Sequence, residues 1–421
     1  MFGRSRAAVV EAARRGWPAG LPKISPVVDL GVRYLELVLR LRKLEPELVS
    51  DYFGPEELAI RVDAEAPATA TQLLGQATGL LEQIHGAGLE PMRRRWLSAH
   101  VGAIHSVCGW LGGEQLGYRE LGQRCYGIRP APVPEESFER AHRMLDDALP
   151  GAGDLRARYQ RWIASQTVPT GLLTEGLDAL AAEVSARARE TFDLPPDEQA
   201  IFELVSDEPW LGFAGPLGDG RTLIRLNQDH PIASFRLLEI VSHEGYPGHH
   251  CEAACKGAAL TAAKGWSELS SWGYCLPQAM ISEGIAELAL EALMGSEADE
   301  VGAAVLRPLA IPYDAAVVAV VRKASEMLRP VRPNLAMMLD EQQISRQQAW
   351  EYLRAWRLEE DEYIDRTLAS LLERRWKPYE SCYTDGLALC RQFVRGDPAR
   401  FQRLLAEPLI PRDLVRENRS R

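Results

Sequence analysis

The chain has 421 residues, 46% of them apolar and 25% charged, an ordinary balance for a folded globular protein and too apolar for a mainly disordered one. Its longest unbroken apolar run, Ala315 to Val321, is seven residues, whereas a membrane-spanning helix needs about 20. The formal net charge of −11 repels phosphate backbones, so neither a membrane nor a nucleic-acid partner is expected.

In chain order, Arg4 and Arg6 precede Ala7-Ala8-Val9-Val10-Glu11, a stretch charged too soon to be the apolar centre of a secretion signal, and the cytoplasm is the expected location. Gly16 to Pro26 reads as a loop. Apolar residues then recur at helical spacing over Val32–Leu44, Thr69–Ile84, Arg93–Leu111, Glu135–Leu149, Leu155–Ser165 and Leu172–Phe192. Glycine and proline mark loops at Gly127–Pro134, Pro150–Gly153 and Pro195-Pro196. The basic runs Arg93-Arg94-Arg95 and Arg374-Arg375 read as solvated helix faces. The seven cysteines contain no CxxC pair and read as buried thiols of a reducing compartment. The length suits two parts, 1–195 and 196–421, joined in one two-lobed body.

From Ile201 to Asn227 the helical period fades, beginning ahead of Trp210-Leu211. Gly218-Asp219-Gly220 is a hairpin-turn signal, and Leu223 and Arg225 alternate with Ile224 and Leu226. A small sheet is expected here, with the strand from Leu223 to Asn227 open to an extended peptide along its edge. The helical pattern returns at Ser234, which reads as an N-cap, and persists to about Leu404. The expected fold is mainly α, a large helical body with one small sheet inserted before its central helix.

Five histidines are scattered singly: His85, His100, His105, His142 and His230. The other three fall in His243-Glu244-Gly245-Tyr246-Pro247-Gly248-His249-His250, at the end of an apolar helix start. Burying a His-Glu pair there is costly without partners, and a divalent metal supplies one. In HExxH the histidines are about 40° apart around the helix and share one Zn²⁺, while the glutamate activates its water. The present spacing, i and i+6, corresponds to about 240° on a regular helix. Pro247 removes a backbone donor and clashes with the carbonyl of His243, and Gly248 permits unusual dihedrals. The helix is therefore expected to break at Pro247-Gly248 and bring His249 back toward His243. His250 is the alternate ligand; on an ideal helix it shares the face of His243 but lies about 10 Å further along the axis.

Catalytic zinc sites usually have three protein ligands. Downstream, Glu283, Glu287 and Glu291 stack at i, i+4 and i+8 of the next long helix. Glu291 reads as solvated, while Gly284 beside Glu283 lets another helix approach and makes Glu283 the candidate third ligand. Cys251 and Cys255 read as ordinary buried thiols, and His230 as a loop residue.

The segments His243 to His250 and Glu283-Gly284-Ile285-Ala286-Glu287-Leu288, with Cys125 to Pro130 and Leu149-Pro150-Gly151, resemble a bacterial domain-of-unknown-function family. Its members carry HExxPGHH and an EGWALY-like segment, from which this chain lacks the Trp and Tyr. That family is similar to helical gluzincin peptidases such as thermostable carboxypeptidase and thimet oligopeptidase. The resemblance implies a zincin-like helical fold, His243, His249 and Glu283 as zinc ligands, and Glu244 as the base. It also implies a tyrosine from a distant segment as oxyanion donor, for which Tyr383 is the candidate and Tyr379 the runner-up; Tyr246 is placed on the cleft wall. The expected activity is Zn²⁺-dependent hydrolysis of peptide bonds in a peptide or small amide substrate. The alternatives are a zinc hydrolase of a non-peptide amide and a non-catalytic, metal-containing peptide- or partner-binding protein.

Overall fold

A computed structural model describes residues 29–208, 212–373 and 376–419. The expectations for Arg4 to Glu11, Gly16 to Pro26, Trp210-Leu211 and Arg374-Arg375 lie outside these residues. The fold is mainly helical. The first part carries α1 (Leu30–Leu44), α2 (Glu56–Asp63), α3 (Ala70–Gly86), α4 (Pro91–Leu111), α5 (Tyr118–Tyr126), α6 (Glu135–Ala148), α7 (Leu155–Ser165) and α8 (Leu173–Thr191). Side-chain caps fix several starts: Asp29 accepts from Gly31 N on α1, Thr69 and Gln72 form a capping box on α3, and Asp154 accepts from Ala157 N on α7.

Strands β2 (Gln199–Val205), β3 (Gly212–Gly218) and β4 (Arg221–Asn227) form the small sheet, and β1 (Asp51–Tyr52) pairs with β5 (Ser271–Trp272) in a second, minimal one. The hairpin turn holds Gly218, Asp219 and Gly220 all at positive φ, which glycine adopts freely and aspartate tolerates. Strand β3 runs antiparallel to β4, and β2 runs parallel to it on the other side, with Ile201 opposite Leu223. β4 is thus central and both its ladders are filled, so an extended peptide cannot pair along Leu223 to Asn227. The edges of this sheet are β2 and β3, and β3 tolerates Pro216 beside an irregularity in its register. Thr222, Ile224 and Leu226 are the buried face of β4.

The remaining helices are α9 (Ser234–Ile240), α10 (His249–Lys256), α11 (Pro277–Met294), α12 (Ala298–Leu306), α13 (Ala315–Leu328), α14 (Val331–Asp340), α15 (Arg346–Trp356), α16 (Asp361–Glu373), α17 (Leu387–Val394), α18 (Pro398–Ala406) and α19 (Pro411–Arg419). Ser234 is the first residue of α9, not its cap: Ala233 occupies the cap position, and the Ser234 hydroxyl donates to Pro312 O (2.5 Å). The arginines of α4 are tethers, not a solvated face. Arg93 forks onto the buried Glu268 (2.5 and 2.9 Å), Arg94 donates to Leu89 O, and Arg95 donates to Asp413 (3.0 Å). No helix among the described residues is long and apolar enough to cross a membrane.

Two apolar cores result. One joins α1, α3, α4 and α8 to α11, α17 and α18; the other joins α6 and α7 to α13, α14, α15 and α16. Helix α9 sits on their seam, giving Phe235 to the second and Leu237 and Leu238 to the first. Helix α11 is apolar nearly all round, with Met280, Ile281, Ile285, Leu288 and Ala289 buried, as befits a central helix. Each large side chain among them contributes about 1.5–3 kcal/mol, an apolar gain against which the burial of Glu283 in the same helix must be set.

Gly284 is the point of closest approach to α11. A Cβ there would collide with Gly386 O and lie 2.6 Å from Cys390 Sγ. Gly284→Ala should therefore overpack this crossing and lower stability by about 1–3 kcal/mol, measured as a shift of the urea midpoint at unchanged m-value.

Candidate metal centre

The site begins with a fault in a helix. After Ile240 the i−4 ladder gives way to a π turn, Val241–Gly245, in which Tyr246 N donates to Val241 O (3.1 Å). Gly248 N then donates to Ser242 O (3.0 Å), and helical bonding resumes with Glu252 N to Gly248 O. The Tyr246-Pro247 bond is cis. Gly248 packs directly on the preceding turn: a Cβ there would collide with His243 O and stand 2.5 Å from Ser242 O. The break brings the rings of His243 and His249 to 4.8 Å between centroids, at 87° to one another.

Glu283 reaches both rings from α11. Its Oε2 lies 3.6 Å from His243 Nε2, and its Oε1 lies 3.8 Å from His249 Nε2. The three ligand atoms fall within 4.8 Å of one another, so the group could hold a metal ion. Tetrahedral zinc with ligand bonds near 2.1 Å would set such atoms about 3.4 Å apart, so the group would close in on binding. The chemistry of Glu283 also fits a cation. It is 3% exposed, Oε1 accepts from Tyr379 OH, and Oε2 is buried with no hydrogen-bond partner among the described residues. Burial pushes its carboxyl well above the usual range, with Glu287 and Glu244 adding to the effect, and burial holds both imidazoles below theirs. Neutral imidazoles are the form that ligates, and a cation would supply the charge that Oε2 lacks.

The candidate ligands are oriented from behind. His249 Nδ1 bonds Ser282 Oγ (3.2 Å), which donates to Glu252 Oε2 (2.5 Å), itself paired with Lys256. With Nδ1–H donating to Ser282, Nε2 keeps its lone pair for a metal. Glu287 stands 3.9 Å from His243 Nδ1 and is held by Arg329, behind the imidazole on the side away from Glu283. Glu291 is at the surface, paired with Arg391. The three stacked glutamates thus pass from core to solvent in two turns.

A cavity of about 390 Å³ opens on this group, lined also by Glu244, Asp51, Phe213, Trp272, Tyr379 and Tyr383. The Glu244 carboxyl is pushed up to about 7 by burial and by the charge of Glu287. Tyr383 OH donates to Tyr379 OH (3.2 Å), which in turn donates to Glu283, so the runner-up tyrosine is the one in direct contact. Tyr246 does not line the cavity; its ring is buried and its hydroxyl donates to Glu198 Oε2 (2.7 Å). His250 is fully buried and turned toward the sheet, His230 is exposed in a turn, and Cys251 and Cys255 are buried thiols. Ser282, Glu252 and Arg329 escape sequence reasoning. Only the i, i+4 pair Glu252–Lys256 carries a local signal, and it reads as an ordinary helix pair.

No family model and no curated protein matches the chain. Solved structures do. A protein from Colwellia psychrerythraea, provisionally designated a lipoprotein, is 14% identical with a TM-score of 0.53, covering 86% of this chain and 68% of its own. A protein of unknown function from Shewanella oneidensis, with the same designation, is 10% identical with a TM-score of 0.48, covering 99% and 93%. The M32 carboxypeptidase of Deinococcus radiodurans R1 is 11% identical with a TM-score of 0.38, covering 93% of each chain. The first likeness is one of fold alone.

If the three side chains hold zinc, its removal should cost stability. Zinc at 100 times its dissociation constant should raise the unfolding free energy by about 2.7 kcal/mol over chelator-treated protein. Glu283→Gln keeps the shape but not the charge and should abolish most of that increment, as should Gly248→Ala by displacing the turn. Thermal melts with and without zinc read both.

Proposed function

We propose that the chain is a zinc-dependent hydrolase of peptide bonds. The observation that carries this reading is the convergence of His243, His249 and the half-unsatisfied Glu283 beside a second carboxylate, Glu244, in one cavity. A structural metal site has no use for that second, non-ligating acid.

Bound Zn²⁺ supplies polarisation of the scissile carbonyl and acidification of water. The protein's own groups do the rest. Glu244, with its carboxyl raised to about 7, takes a proton from the attacking water and returns it to the leaving amine. Tyr383 lines the cavity and is the donor to the carbonyl oxygen, its hydroxyl turning from Tyr379 to the substrate, while Tyr379 stays committed to Glu283. The edge of β3, whose Gly212 to Pro216 segment lines the same cavity, gives an extended substrate a ladder to join. Seven buried thiols favour a reducing compartment, whereas two similar structures are designated lipoproteins. Recovery of the full-length protein with the membrane fraction would decide for an anchored form.

Glu244→Gln separates catalysis from ligation. Zinc content after chelator-free purification should stay near that of the wild type, while turnover of a peptide identified by library digest falls at least roughly 10²-fold. His243→Ala should lose zinc and turnover together. Unchanged turnover in Glu244→Gln would favour the non-catalytic metal-binding reading.

A further inference from the structure

We propose that Glu198 and His250 are positioning residues that set the gap between the two imidazoles of the metal centre. The inference rests on the zinc reading above. His249 and His250 are the first two residues of α10 and point about 100° apart. While His249 faces Glu283, His250 Nε2–H donates to Glu198 Oε2 (2.6 Å), and its Nδ1 bonds Thr222 Oγ1 on β4 (2.9 Å). The same Glu198 Oε2 also accepts from Tyr246 OH (2.7 Å).

Tyr246 precedes the Pro247-Gly248 break and His250 follows it. One carboxylate oxygen therefore staples both sides of the fault, and the ligands His243 and His249 flank the same fault. The staple is anchored from outside the helix. Arg189 of α8 donates to Glu198 Oε1 (2.8 Å) and to Tyr246 OH (3.0 Å), and Ala200 N of β2 donates to Tyr246 OH (3.2 Å). The side chains of Glu198 and His250 are 1% and 0% exposed. A buried ionisable pair of this kind contributes little net stability against an apolar pair of the same volume, but it fixes geometry in three dimensions. A site whose third ligand comes from a rigid central helix needs that fixed gap.

The test is the zinc affinity of the folded protein, by competition with a chromophoric chelator, with far-UV circular dichroism as the control for folding. Glu198→Ala and His250→Phe should bind zinc roughly 10- to 100-fold more weakly, the range for loss of an orienting partner. Glu198→Gln removes the charge but keeps an acceptor, and should hold affinity within a few-fold of wild type. Equal loss in Glu198→Gln and Glu198→Ala would assign the effect to charge and overturn the staple. Folded Glu198→Ala with wild-type affinity would overturn the proposal and leave the metal reading standing. If Glu198→Ala does not fold, Tyr246→Phe decides: it removes one strut, and a several-fold loss supports the staple while unchanged affinity refutes it. Wild type that binds no zinc removes the metal reading and this proposal together.

Discussion

The contact on which the site depends is that of Gly248 with the carbonyls of Ser242 and His243. A backbone can come this close only where there is no side chain, and the approach lets α10 restart almost on top of the turn that ends α9. The two histidines that follow the break take their positions from that restart. It turns His249 toward α11 and leaves His250 facing the sheet.

The surroundings make this fault affordable. Helix α9 is wedged between two apolar cores, and α11 is buried over most of its length, so neither can shift to relax the break. Charge is arranged around the seam in the same spirit. Glu239, one turn before His243, is held by Arg236 and Arg322, and Arg322 also reaches Asp299. Arg329 restrains Glu287. The basic groups near the centre are thus occupied by outer carboxylates, and Glu283, the innermost, faces the histidines with one oxygen unmatched.

Much of the helical architecture was legible because long helices with one buried face leave a periodic trace. The periods over 69–84, 93–111 and 155–165 lie within two residues of α3, α4 and α7. The short helices α2 and α5 leave too little period to read. The β3–β4 hairpin announced itself through its glycine turn, but the parallel β2–β4 pairing has no local signature, and without it β4 looks like an edge. At the site, residues adjacent in sequence were readable and residues that meet only in space were not. The spacing of His243, Pro247, Gly248 and His249 contains its own argument for a broken helix. Ser282 and Glu252 are thirty residues apart, and Glu198 and His250 fifty-two, and nothing local to either member names the other. Tyr246 misled because its place inside the motif suggested the cavity, whereas the break turns it to the opposite side.

Three π turns occur among the described residues, and two of them, Val241–Gly245 and Cys382–Gly386, carry Glu244 and Tyr383 into the same cavity. A π turn is an α turn holding one residue too many. Removing a residue from a regular helix turns everything downstream by about 100° around the axis, whereas at a π turn the extra residue is taken up in the bulge and the segment beyond it keeps its facing. At such positions a one-residue gap in an alignment is a shortening that need not be a rotation. What the sequence sets in this centre is the angle between two imidazoles, and HExxPGH sets it across a break and not on a straight helix.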